Sequence, residues 1–112
     1  MTHKSIEIVT NEAISLLKQL IETPSFSSEE AQTALLLENW FQNNSIPFQR
    51  ENNNVWAVNL HYDATKPTLL LNSHHDTVKP NEGYTLNPFE AIEKDGKLFG
   101  LGSNDAGGCL VS

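Results

Sequence analysis

Apolar residues recur at three- and four-residue spacing from Ile6 to Ile21, at Ile6, Val9, Ala13, Leu16, Leu17, Leu20 and Ile21. This is the period of a helix with one apolar face, and it predicts a packed helix. The helix should end near Glu22, because Pro24 disfavours helical geometry at Thr23. Ser27 and Glu30 stand in the relation of a capping box, in which each side chain meets the other residue's amide, so a second helix is predicted from Ser28 to Asn43. Ala31, Ala34, Leu35, Trp40 and Phe41 supply its buried stripe, and Asn43-Asn44 suits its end. Both tryptophans, Trp40 and Trp56, read as core or half-buried packing residues.

Beyond the helices the apolar runs shorten. Ile46 to Arg50 and Val55 to Leu60 are strand candidates, joined as a hairpin by Glu51-Asn52-Asn53-Asn54. His61 to Pro67 is polar and reads as a loop, whereas Thr68 to Asn72 is an apolar run that reads as a strand buried on both faces. Asp95-Gly96 predicts a tight turn between Ala91-Ile92-Glu93 and Lys97-Leu98-Phe99. Asp105 to Ser112 begins a helix of small residues. Two helices followed by strands indicate an α/β sandwich. There is no repeat, linker or low-complexity segment. The buried strand and last helix call for packing partners that these residues do not supply, so the chain reads as the N-terminal portion of a longer protein.

Composition acts mainly by exclusion. A 112-residue chain with 38% hydrophobic and 19% charged residues suits one globular domain. A formal charge of −7, with seven scattered Lys and Arg, argues against nucleic-acid binding. The single Cys109 excludes an internal disulfide and a thiolate zinc cluster, which suggests a reducing compartment. The stretch from Met1 to Glu7 lacks the apolar core of a signal peptide, and no run approaches a membrane span. The expected location is the cytoplasm, with no membrane partner.

Candidate chemistry gathers at two places. Leu69-Leu70-Leu71-Asn72-Ser73 delivers His74-His75-Asp76 at the end of a predicted strand, where sites form in open α/β sheets. Imidazole and carboxylate suit zinc. His74, two residues before Asp76, is the better ligand candidate, and Asp76 is a candidate to orient it. His75 should face the opposite way if the strand continues that far. The same residues also fit a hydrogen-bonded loop without metal. The second place is Gly100-Leu101-Gly102-Ser103-Asn104-Asp105, where glycines allow close backbone approach and Asp105 is either a helix cap or a ligand. Asp105 stands where a dinucleotide fingerprint needs its third glycine, and no Gly-Lys-Ser/Thr follows, so nucleotide binding is rejected. His3 and His61 read as surface residues, and Glu29-Glu30 as part of a helix start.

Together, Ser73-His74-His75-Asp76-Thr77-Val78 and Gly100-Leu101-Gly102-Ser103-Asn104-Asp105 make the chain resemble the dinuclear-zinc peptidase and deacylase family. That family includes acetylornithine deacetylase, succinyl-diaminopimelate desuccinylase, aminoacylase and carboxypeptidase G. The likeness extends to Thr23-Pro24-Ser25, Glu29-Glu30, Asn87-Pro88-Phe89 and Asp95-Gly96-Lys97, and the two motifs look most like the acetylornithine deacetylases of arginine biosynthesis. One departure bears on substrate class. Many members read Asp-x-Lys-Gly-Gly, whereas here Gly107 stands at the lysine and Cys109 at the second glycine.

The resemblance implies that residues 1–112 are the N-terminal part of a mixed-sheet α/β zinc-hydrolase catalytic domain. It implies that His74 is a ligand of one zinc, that Asp105 bridges two, and that Asp76 is the catalytic residue orienting His74. Cobalt or manganese could take the same donors. The implied reaction is hydrolysis of the N-acyl amide of a small amino acid, with N-acetylornithine the leading substrate and a downstream glutamate as base. A desuccinylase, a dipeptidase and an inactive remnant are the alternatives. With only His74 and Asp105 as ligands, these residues alone are expected to bind metal weakly and not to turn over. A homodimer would form through a domain outside this chain.

Overall fold

The structure, a computed structural model, describes residues 3–112. Helix α1 spans Ile6–Glu22. The Ser5 hydroxyl accepts from the Ile8 amide at 3.3 Å, and extended Thr23 ends the helix ahead of Pro24. The predicted apolar stripe is covered only over its C-terminal half. Leu16, Leu20 and Ile21 are buried, whereas Ile6 and Val9 stay exposed.

Helix α2 spans Ala31–Asn43 and begins later than the predicted Ser28, which instead adopts a left-handed φ of 70°. The expected capping box does not form. Ser27 Oγ donates to Asp76 Oδ2 at 2.6 Å, and Glu30 Oε1 accepts from the Ser28 amide at 2.9 Å. The buried face is also turned relative to the prediction. Thr33, Ala34 and Leu37 are buried, Trp40 and Phe41 are half-buried, and Ala31 and Leu35 face solvent. Thr33 can occupy the fully buried position because its hydroxyl meets His75 Nδ1 at 2.6 Å and the Glu30 carbonyl at 3.1 Å. Those bonds offset the cost of burying a polar atom. Leu16, Leu20 and Leu37 form the core, against which Leu36, Trp40, Val55, Leu110 and Val111 pack.

The strands pair as two separate antiparallel hairpins. In the first, β1 (Gln49–Glu51) faces β2 (Asn54–Trp56), with Arg50 opposite Val55 and the Arg50 guanidinium paired to Glu38 of α2. It is shorter than predicted. Val58 and Leu60 have no strand partner among the described residues, and Trp56 is exposed rather than half-buried. The second hairpin, β3 (Ile92–Lys94) with β4 (Lys97–Phe99), forms as predicted around Asp95 and Gly96 at φ 54° and 71°. Two successive positive φ values suit the right-handed twist of its strands.

The strand predicted over Thr68–Asn72 is not formed, and Leu69, Leu70 and Leu71 are more than four-fifths exposed. A strand needs neighbouring backbone donors and acceptors, and among the described residues this run has none. Pairing begins only at the parallel bridge between Phe26 and Thr77. The C-terminal helix also starts later than predicted. Ser103–Gly108 is a wide turn closed by the Gly107 amide on the Gly102 carbonyl at 2.9 Å. Within it Asp105 is extended (φ −115°, ψ 98°), and regular helix is confined to Cys109–Val111 (α3). No helix among the described residues is long and apolar enough to cross a membrane.

Candidate metal centre

The residues singled out by the two motifs meet in space although they lie far apart in sequence. His74 sits between two carboxylates, with Nδ1 at 3.0 Å from Asp76 Oδ1 and Nε2 at 3.0 Å from Asp105 Oδ1. Nδ1 also lies 3.2 Å from the Asp76 carbonyl. With Nδ1–H donated to Asp76, Nε2 is the nitrogen left to face Asp105. Orientation of a ligand histidine by a carboxylate is the usual arrangement at metal sites.

Two backbone features bring Asp105 there. Gly102, at φ 78°, makes the turn after β4, and a Cβ at Gly102 would stand 2.7 Å from Thr77 Cγ2. Only glycine lets the loop come this close to the segment carrying Asp76. Leu101 N–H donates to the Pro88 carbonyl at 2.7 Å and ties the loop down from its other side. His74, Asp76, Thr77, Val78, Tyr84 and the loop from Gly100 to Asp105 line an open cleft of about 280 Å³.

Electrostatics follow from these contacts. Burial acts to lower the His74 pKa, but the Asp76 carbonyl, the Asp105 carboxylate and the negative charge of both residues outweigh it and raise it above the ordinary imidazole value. Asp76 is held below the ordinary carboxylate value, first by the Ser27 hydroxyl, with burial opposing and His74 assisting.

His75 does not line the cleft, although no strand reaches it. Its Nδ1 meets the Thr33 hydroxyl and its Nε2 lies 2.8 Å from the Asn53 carbonyl, which ties α2 and the β1–β2 turn to this segment. Glu30 is likewise structural, bonded to the Ser28 amide and to Asn53 Nδ2 at 3.1 Å. His3 and His61 are exposed and are not among the cleft-lining residues.

One part of the site was not anticipated from sequence: Ser25-Phe26-Ser27 runs alongside His75-Asp76-Thr77. Ser25 Oγ donates to the His75 carbonyl at 2.8 Å, the Thr77 amide to the Ser25 carbonyl at 2.8 Å, and the Ser27 amide to the Thr77 carbonyl at 3.2 Å. The signal was present as Thr23-Pro24-Ser25, but nothing local to that stretch indicates its distant partner.

One imidazole and one free carboxylate fit part of a divalent-metal site by donor chemistry. They do not complete it, since among the described residues no three His, Cys, Asp or Glu side chains form a metal-holding group. Residues 70–112, which carry His74, Asp76 and Asp105, match the family model of peptidase family M20/M25/M40. The chain is 42% identical over 110 residues to acetylornithine deacetylase of Proteus mirabilis (strain HI4320), a match covering 85% of this chain and 28% of that protein. It is 29% identical over 109 residues to succinyl-diaminopimelate desuccinylase of Blochmanniella floridana, covering 91% of this chain and 28% of the relative. The desuccinylase of Coxiella burnetii (strain RSA 493 / Nine Mile phase I) is 36% identical over 102 residues, 85% of this chain and 26% of that protein. The chain therefore spans just over a quarter of the length of these relatives. The likeness expected from the motifs is borne out.

Proposed function

We propose, for a chain whose residues 70–112 match peptidase family M20/M25/M40, that the whole protein is a metal-dependent hydrolase of N-acyl amino acids. N-acetylornithine is the leading substrate. The observation that carries this reading is His74 held by Asp76 on one ring nitrogen while the other faces Asp105 at 3.0 Å. Support for the substrate comes from the relative named acetylornithine deacetylase, the most identical of the three.

In this reading His74 and Asp105 hold zinc, and Asp76 fixes the ring orientation of His74. When bound, such an ion supplies polarisation of the acyl carbonyl and lowers the pKa of a water toward neutrality. The chain's own contribution is placement. The Gly102 turn carries Asp105 to His74, and Val78 and Tyr84 wall the cleft that would receive the acyl amino acid. The base glutamate and the other ligands belong to residues outside this chain, so these residues alone are not expected to turn over.

A desuccinylase is the second reading, favoured by the two desuccinylase relatives. The test is kcat/KM of the zinc-loaded full-length protein on N-acetylornithine, N-succinyl-diaminopimelate and a dipeptide. Preference for the acetyl substrate is expected, and preference for the succinyl compound moves the assignment. Asp105→Asn should abolish turnover on every substrate without lowering the melting temperature. Wild-type turnover in that variant would refute the metal role of Asp105.

A further inference from the structure

The segment Ser25-Phe26-Ser27 takes no part in the chemistry assigned so far, yet it lies directly against the residues of the site. Two backbone–backbone hydrogen bonds and one from the Ser25 hydroxyl fix it against His75-Asp76-Thr77, and Ser25 is almost completely buried. Phe26 packs on Phe89 with ring centroids 5.9 Å apart, which holds the segment from its other side. The Ser27 side chain is thereby presented to Asp76 by a backbone that is itself tied down.

The Asp76 carboxylate is then divided between two partners. Oδ2 accepts from Ser27 Oγ at 2.6 Å, and Oδ1 faces His74 Nδ1 at 3.0 Å. A carboxylate bound on one oxygen only can swing about its terminal torsion, which is broad. A second, short, charge-assisted bond removes that freedom. Serine suits the task because its hydroxyl donates to an acceptor-only carboxylate without adding charge.

We propose that Ser27 is a positioning residue of the metal centre: it fixes the Asp76 carboxylate, which in turn holds His74 with Nδ1 bonded and Nε2 directed at Asp105. The inference deepens the proposed function and rests on its metal reading. Ser27 touches neither substrate nor metal and acts through Asp76.

The test compares the parent full-length protein with Ser27→Ala and Ser27→Thr. Imidazole 15N spectra of the metal-free proteins, with His74 assigned through His74→Gln, report how its ring nitrogens are engaged. Cobalt(II) titration reports affinity. Ser27→Ala should shift the Nδ1 resonance of His74 and weaken cobalt binding about tenfold, the lower end of the effect of removing such a supporting partner. Ser27→Thr, which keeps the hydroxyl, should restore both, and all three proteins should melt alike. Parental His74 spectra and cobalt affinity in Ser27→Ala would overturn the proposal, as would a loss that threonine does not rescue. If the parent itself fails to bind cobalt, the metal reading falls, and the His74 spectra still decide whether Ser27 positions Asp76.

Discussion

At the scale of single residues, the contrast between His74 and His75 shows what local sequence can and cannot convey. Strand alternation places adjacent side chains on opposite sides, and the two histidines do part that way although no strand forms there: His74 faces Asp105, whereas the half-buried His75 meets Thr33. Alternation could not supply the partners. Glu30 shows the opposite case, because its carboxylate was expected to cap Ser27 and instead serves the Ser28 amide and Asn53. The Ser28 amide is the main reason its pKa lies below the ordinary glutamate value, with burial opposing. A depressed carboxylate stabilises the folded state above its unfolded pKa, and that contribution disappears as pH falls through the folded value. The melting temperature should therefore drop on acidification through and below the ordinary glutamate range, and Glu30→Gln should flatten that part of the profile. A carboxyl NMR titration placing Glu30 at or above the ordinary value would contradict this.

Among the elements, α1 and the β3–β4 hairpin were legible because each is specified locally, by a 3.6-residue period with a proline stop and by Asp-Gly at a two-residue turn. The start of α2 was misread because the Ser27 amide, which Glu30 was to meet, donates instead to the Thr77 carbonyl, and the sequence around Ser27 carries no information about a residue so distant. Thr68–Asn72 was misread for a related reason, since an apolar run becomes a strand only beside another. The Gly102 turn is the element on which the site depends most directly. Gly102→Ala combines positive φ with a methyl group pressed on Thr77, and each costs roughly 1–2 kcal/mol or more. Chemical denaturation should show a loss of about 2–4 kcal/mol, together with weaker cobalt binding as Asp105 moves from His74. Unchanged stability would mean that the loop can back away from Thr77 at little cost.

For the molecule as a whole, the radius of gyration is 15.3 Å, against about 13 Å for a compact domain of similar size. The excess agrees with a small core and with apolar residues left uncovered, among them Ile6, Val58, Leu60 and Leu69-Leu70-Leu71. Exposed apolar residues in such number promote association. The 112-residue polypeptide alone should bind an apolar dye such as ANS and sediment with concentration-dependent mass, and Leu70→Lys should reduce both. Monomeric behaviour without dye binding would mean that these leucines find cover within the chain. The alignment of Ser25–Ser27 with His75–Thr77 also carries a temporal consequence. The Ser25–His75 bond closes a loop across 50 residues, whereas α1 and the hairpins need only near neighbours and can form within microseconds. Loop closure must be met before its contacts reward it, so such distant pairings come slowly. The metal-binding geometry should thus be among the last features to assemble and the first to open. Amide exchange at Ser27 and Thr77 will then run faster than in the interior of α1, and a cation arriving early would meet His74 without Asp105 beside it.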